Sequence, residues 1–306
     1  MSDPSPTTNP APAGAGRRAL CFGEILWDFL PDGLFPGGAP FNVAYHLHRL
    51  GLTTYPVSSV GDDVLGRELL RRLRDWKIPV DLIATDPARP TGYVRAAITA
   101  TGDAHYDIVR DVAWDAIPAP TAALALAAST DVLVFGSLAA RSPENRATLH
   151  RLLAALPATA WRVFDINLRA PFDDLAVVAE LAAHATVLKL NAAEAARLAG
   201  ATESPGSEET HARNVQQRFA VPLVVVTAAD RGAGLLRDDH WHWETARPVA
   251  VADTVGAGDA FLARLIAGLL ARASEPRILA AACRLGEWVA AQRGATPAYT
   301  SATPSA

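Results

Sequence analysis

Short apolar runs alternate with longer amphipathic stretches along most of the chain. The first run, Arg18 to Phe29, opens on Ala19-Leu20-Cys21-Phe22 and reads as a strand, broken at Gly23-Glu24 with Asp28 beyond the break. A helix follows to Leu50, with Pro40 suited to its first turn and Gly51 just past its end. Tyr55–Val60 reads as the next strand, and Val64 to Trp76 as a helix whose Leu65, Leu69, Leu73 and Trp76 recur at helical spacing. Arg67, Arg71, Arg72 and Arg74 lie largely off that stripe and read as a solvated face. From Asp131 the rhythm is regular. Strands are predicted at Asp131–Phe135, Trp161–Ile166, Thr186–Leu190 and Leu223–Val226, and helices near Pro143–Leu156, Asp173–Ala183, Ala192–Ala199 and Glu208–Phe219. The helices Ala260–Ala271 and Pro276–Gln292 close the pattern. Such alternation predicts an α/β fold, a parallel sheet with helices on both faces and ligands at the carboxyl ends of the strands.

Two stretches break the rhythm. In Thr91–Val112, Tyr93–Thr99 and His105–Val109 are strand-like and joined through Gly102-Asp103, which makes a hairpin and not a crossover. Gly232 to Thr245 is a second hairpin, with Trp241 and Trp243 on one face of its strand as cover for the core. No internal repeat and no second domain boundary is visible. Residues 1–16, made almost wholly of Pro, Ala, Ser, Thr and Gly, read as a disordered tail and not a signal peptide. One domain is therefore expected over residues 17–300, with 301–306 as a closing tail.

Composition narrows the function. The 306 residues are 50% hydrophobic and 20% charged, with net charge −4, which offers no reason to expect nucleic acid or an anionic membrane as partner. No apolar run is long enough to span a bilayer. Cys21 falls in a predicted strand and Cys283 in a predicted helix, without metal-type spacing, so a reducing cytoplasm is the expected compartment.

The chemistry gathers in Asp253-Thr254-Val255-Gly256-Ala257-Gly258-Asp259-Ala260-Phe261, which runs into the apolar helix Leu262 to Leu270. Gly256, Ala257 and Gly258 can bare consecutive backbone N–H groups at a helix start, where unpartnered amides and the helix dipole favour an anion. Asp259 adds a carboxylate suited to take a proton from a hydroxyl while the amides steady a transferring phosphoryl group. Gly14-Ala15-Gly16 and Gly232-Ala233-Gly234 repeat the tripeptide without the flanking Asp-Thr or the following Asp, and serve as internal controls. Upstream, Gly37-Gly38 leaves a hinge before a helix start and Asn42 lies one turn in. Taken singly, Asn42 also reads as a solvent-facing amide and Asp28 as a loop carboxylate or cap. Further polar groups end successive strands: Asp165-Ile166-Asn167-Leu168-Arg169, Lys189-Leu190-Asn191 through Glu194, and Thr227.

Asp-Thr-x-Gly-Ala-Gly-Asp-x-Phe resembles the C-terminal signature of the ribokinase-like (phosphofructokinase-B type) carbohydrate kinases. The resemblance runs from about Arg18 to Tyr299 and implies a three-layer α/β/α fold with a mostly parallel central sheet and a small β lid. It makes Asp259 the catalytic base and Gly256, Ala257 and Gly258 the anion hole. Gly23-Glu24-x-x-x-Asp28 and Gly-Gly-x-Pro-x-Asn resemble the N-terminal signature, which assigns Asp28, Gly38 and Asn42, with Arg169, to the sugar. Asn191 and Glu194 match an Asn-x-x-Glu motif that positions phosphates and Mg²⁺ largely through water. Thr227, Gly232 and Gly258 fall to the nucleotide, with Ala229 where the family usually has glycine. Asp253 and Arg293-Gly294-Ala295 resemble the neighbourhood of a monovalent cation, K⁺, although Ala298 stands where related chains often carry Ser. Arg264 occupies a position that is small in many members. The hairpin 91–112 corresponds to the lid that covers the sugar and that can also pair two subunits into a homodimer. From it Arg95, Tyr106 or Arg110 could reach a substrate, although the plainer reading makes them residues of the sheet surface.

Gly23-Glu24 through Pro31 and Gly37-Gly38-Ala39-Pro40 resemble the fructokinase-like branch. The expectation is thus transfer of the γ-phosphoryl of ATP to a primary hydroxyl of a small sugar, fructose first. Ribose, 2-keto-3-deoxygluconate and nucleosides are the alternative acceptors. A non-catalytic sugar- or nucleotide-binding relative would be marked by loss of the base, and Asp259 is present. A dinucleotide oxidoreductase would need Gly-x-Gly-x-x-Gly within residues 23–40, where it is absent.

Overall fold

The computed structural model describes residues 16–30, 33–98 and 104–304. The tail expected before Arg17 lies almost wholly outside them, as do the hairpin tip at Gly102-Asp103 and the end of the closing tail. The chain opens with β1 (Arg18–Phe22), β2 (Leu26–Leu30), β3 (Gly33–Gly37), α1 (Ala39–Arg49), β4 (Thr53–Gly61), α2 (Val64–Asp75) and β5 (Ile83–Asp86). It continues through β6 (Gly92–Ile98), β7 (Ala104–Ile108), α3 (Thr121–Ala127), β8 (Val132–Gly136), α4 (Pro143–Ala155), β9 (Trp161–Asp165) and α5 (Leu175–Ala182). Then come β10 (Val187–Asn191), α6 (Ala192–Leu198), α7 (Glu208–Phe219), β11 (Leu223–Thr227), β12 (Gly232–Arg237), β13 (His240–Thr245), α8 (Ala257–Leu270) and α9 (Glu275–Ala290).

The strands form a nine-stranded sheet in the order β13-β12-β11-β10-β9-β8-β1-β4-β5 and a four-stranded sheet in the order β3-β2-β6-β7. The large sheet is parallel from β11 to β5, and the antiparallel β12–β13 hairpin finishes one edge. Successive side chains of a strand point to opposite faces. Leu20, Phe22, Leu133, Phe135, Phe164, Leu188, Val224 and Val226 accordingly share one core with the inner faces of α4, α5, α6 and α7. Ala19, Cys21, Val132, Val134, Val163, Val187 and Val225 share the other with α1, α8 and α9. Burial on both faces is why the strands are continuous apolar runs and not alternating ones.

The expected strand Arg18–Phe29 is in fact two. The chain leaves the large sheet at Gly23, whose φ of 146° suits glycine and where a Cβ would stand 2.7 Å from Pro40 Cγ. It resumes as β2 in the small sheet, parallel to β6 and antiparallel to β3. The small sheet is therefore larger than the 91–112 hairpin, and β3 occupies residues leading into the Gly37-Gly38 hinge, where the apolar pattern predicts no strand. The pattern predicts neither β5 nor α3; both are short, and α3 is nearly all Ala and Leu, which lacks a polar face to set a period.

Polar clasps hold the sheets together. Asp63 caps α2 through Gly66 N–H (2.7 Å) and accepts from Thr91 N–H and Oγ1 at 2.7 Å each, tying the root of β6 to β4 and α2. Asn145, fully buried, accepts from Ile117 N–H and donates to the carbonyls of Trp114 and Ala139, each at 2.8 Å. Asn145→Ala would orphan buried backbone groups at about 1–3 kcal/mol each. We expect this substitution to cost at least about 3 kcal/mol and to lower Tm by about 5–10 °C, read by thermal unfolding. An unchanged Tm would show that water replaces the amide.

Candidate active site

β9, β10 and β11 end at one edge of the large sheet, and the first turn of α8 sits beside the ends of β9 and β10. Gly256 caps α8 at φ 79°, and a Cβ there would press on Ala295, so glycine is required twice over. Ala257 N–H turns back to Thr254 O at 3.3 Å. That differs from the expected bare Gly256–Ala257–Gly258 trio. Among the described residues the amides left without a hydrogen bond in this turn are those of Gly256, Gly258 and Asp259.

Asp259 accepts a 2.8 Å hydrogen bond from Asn42 Nδ2, which α1 brings across from the far side of the sequence. Burial pushes the Asp259 carboxyl up to about 6, and neighbouring Asp165 pushes the same way; Lys189, Asn42 and Arg169 oppose them. Asn42 is buried, and its Oδ1 has no partner. Glu24 lies beside the hinge, accepting from Ala39 N–H at 3.2 Å with its second oxygen buried and unpartnered. Burial raises its carboxyl to about 7, with Asp259 adding to the rise. Gly38, at φ 110°, must be glycine because a Cβ would run into the Glu24 carbonyl. Asp28, on β2, is likewise pushed up to about 6 by burial and by Asp253, against the pull of Arg169. Gly37 leaves room for its carboxylate. Asp28, Asn42, Arg169 and Asp259 are thus brought within one electrostatic neighbourhood.

Asn191 and Glu194 form a capping box at the start of α6: Asn191 Oδ1 accepts from Glu194 N–H, and Glu194 Oε2 from Asn191 N–H, both at 2.8 Å. Glu194 Oε1 also accepts from Leu168 N–H at 2.7 Å, clasping the exit of β9. Burial raises the Glu194 carboxyl and Lys189 opposes the rise. Asp253 joins the loop before α8 to the closing loop, accepting from Val255 N–H at 3.0 Å and Gly294 N–H at 3.1 Å. Thr227 and Gly232 sit further along the sheet, on β11 and β12, away from Asp259. Ala229 between them holds φ 51°, the left-handed conformation that glycine adopts without strain.

Arg95 pairs with Asp107 at 3.6 Å, and Arg110 lies over the Phe172 ring at 4.7 Å. The Tyr106 side chain falls outside the described residues. Three residues of this neighbourhood are not site candidates on the sequence pattern alone: Glu24 stands there only within a motif, and Asp165 and Lys189 only as polar groups at strand ends. Lys189 carried a readable signal: it is one of two lysines in the chain and interrupts an apolar strand.

The family described as pfkB family carbohydrate kinase matches residues 32–302. The chain belongs to the pfkB family of carbohydrate kinases. A fructokinase of Klebsiella pneumoniae is 31% identical over 260 residues, covering 81% of this kinase and 83% of the relative. The structure of a Vibrio cholerae O395 fructokinase in its fructose, ADP and calcium ion bound form superposes with a TM-score of 0.77 at 25% identity, over 92% of this chain and 94% of that one. A Xylella fastidiosa fructokinase with bound ATP gives a TM-score of 0.79 at 20% identity, over 91% and 94%. The kinase therefore shares the ribokinase-like α/β fold, small second sheet included.

The carboxyl of Asp259 should take up its proton near pH 6, well above an ordinary aspartate. Carboxyl-¹³C NMR of aspartate-labelled protein, assigned with Asp259→Asn, measures this directly. A midpoint near 4 would mean the site is wetter than the packing indicates.

Proposed function

We propose that this carbohydrate kinase uses ATP to phosphorylate a primary hydroxyl of a small sugar, with fructose the favoured acceptor. The observation that carries the reading is the Asp259 carboxylate at the unpartnered amides of α8, hydrogen-bonded by Asn42 from the hinge helix. In this reading Asp28 and Asn42 hold sugar hydroxyls against Gly38. Asp259 then takes the proton of the attacking hydroxyl. The amides of Gly256 and Gly258, with the Ala257 turn between them, receive the negative charge of the transferring phosphoryl. The nucleotide lies along the strand ends at Asn191, Thr227 and Gly232.

Mg²⁺ would come in on the nucleotide's phosphates and neutralise their charge, with the buried carboxylate of Glu194 reaching its waters. Asp253 and the Gly294–Ala295 loop are the proposed K⁺ neighbourhood. The small sheet is the proposed lid, and exposed Phe29 (39%) and Leu34 (36%) on it support pairing of two copies through that sheet. The fructose reading rests on the fructokinase relatives and on the Gly23–Pro31 and Gly37–Pro40 motifs. One observation favours a second acceptor class: Arg169 makes no ion pair among the described residues, and its guanidinium is available to a sugar acid such as 2-keto-3-deoxygluconate.

Measuring kcat/KM for fructose, ribose, 2-keto-3-deoxygluconate and adenosine under the same ATP and Mg²⁺ separates these. Fructose is expected to lead; a tenfold advantage for another acceptor would overturn fructose and leave the kinase. Asp259→Asn should keep the fold and lose about 10²–10⁴-fold in kcat, a barrier increase of about 3–5 kcal/mol. Because the base must be ionised and its carboxyl sits near 6, kcat should fall as pH drops through that value.

A further inference from the structure

Beneath the first turn of α8 lies a buried ion pair. Lys189 Nζ donates to both oxygens of Asp165, at 3.0 and 3.2 Å, and the two residues are only 7% and 3% exposed. They are register partners on adjacent strands, β10 and β9. Alternation puts both on the face shared by Val163 and Val187, which α8 covers with Phe261, Leu262 and Leu265. In such a layer an apolar pair of similar volume would pack as well, and a buried ion pair gives no net stability over it. The pair is therefore not explained by folding alone.

Its position suggests what it does. A Cβ on Gly258 would stand 3.3 Å from Lys189 Nζ, so the ammonium lies directly against the turn that carries the free amides. Asp165 and Glu194 flank the ammonium, and Asp259 lies above it. The charged and polar groups facing Asp259 are Glu24 from the loop after β1, Asn42 from α1, Asp165 from β9, Lys189 from β10 and Arg169 from the loop after β9. Arg169 is exposed, which leaves Lys189 as the buried cation of the group. Without it, carboxylates would surround a turn that has to accept a phosphate.

We propose that Lys189, held in place by Asp165, is a positioning residue for phosphoryl transfer, its ammonium offsetting the carboxylates around the first turn of α8. Lys189 keeps Asp259 ionised and leaves the adjoining amides free to receive negative charge. This rests on the reading of Asp259 as base. Burial opposes a charged lysine, yet Asp165, Glu194 and Asp259 together hold its proton on. The same ammonium pulls the Asp259 carboxyl down while Asp165 pulls it up.

The test follows the Asp259 carboxyl by ¹³C NMR and, separately, the acid limb of the kcat–pH profile, in Lys189→Met, Lys189→Arg and Asp165→Asn. An opposite charge at close range moves a carboxylate by about 1–3 pH units. Lys189→Met should raise the Asp259 midpoint by about one pH unit or more and carry the acid limb with it. Lys189→Arg should restore most of the wild-type position, and Asp165→Asn should move both readouts downward. Should Lys189→Met fail to fold, Lys189→Gln read by the same two measurements decides the matter, since it too removes the cation while keeping a polar side chain beside Asp165. An Asp259 carboxyl unmoved by Asp165→Asn and Lys189→Met overturns the proposal while leaving the base assignment intact. A carboxyl that moves while the acid limb stays put overturns the reading of Asp259 as base, and with it the part of Lys189 in transfer.

Discussion

The site depends on a helix that has nowhere to move. From Ala260 to Leu270 every residue of α8 is buried, between the large sheet, α1 and α9. A helix apolar on all sides is stable only inside other layers, and close packing there resists displacement. Its first turn is consequently a fixed point at the strand ends. Even Arg264, a large residue in the second turn, is accommodated with its guanidinium mostly buried and its charge disfavoured by that burial.

The closing loop locks the same turn from outside. Ala295 packs where a side chain on Gly256 would go. Its carbonyl accepts from His46 Nε2 at 2.9 Å, so the imidazole's other nitrogen, at 2.9 Å, accepts from the Tyr299 hydroxyl. Burial lowers His46 to about 4, and it stays neutral in that tautomer at ordinary pH. Tyr45 adds a hydrogen bond to the Pro297 carbonyl at 2.8 Å. Anion-hole geometry tolerates little looseness, because amides act on developing charge only at hydrogen-bond distance. A helix start clamped by an apolar layer on one side and by α1 and the closing loop on the other would meet that requirement in the proposed anion hole.

Electrostatically the same region works against folding. Glu24, Asp28, Glu194 and Asp259 all carry carboxyls raised chiefly by burial, a desolvation cost the protein bears at its strand ends. Carboxyls perturbed by burial and gathered at one set of strand ends are what a site tuned for proton transfer would show. Paired charges elsewhere behave differently: Arg71 and Glu68 on α2, for example, meet at 2.7 Å in solvent and contribute little.

Much of this was legible in the chain itself. The alternation of apolar runs and amphipathic stretches carried the layered α/β architecture, because period and punctuation are properties of each element alone. The Asp253–Phe261 stretch marks a helix start with glycines and a carboxylate within one turn of backbone for the same reason, and the structure has Gly256 as its cap with the amides of Gly258 and Asp259 unpartnered. What the sequence could not determine was any contact made between elements. The split of Arg18–Phe29 at Gly23 was decided by Pro40, packed against the glycine from α1. Asn42 meets Asp259 across 217 residues because α1 and α8 share a layer. Lys189 meets Asp165 because parallel register sets them side by side, and a shift of one residue would turn the lysine to the other face. Periodicity reports which way a side chain faces within its own element, whereas its partner depends on register and layer, which only the folded sheet supplies.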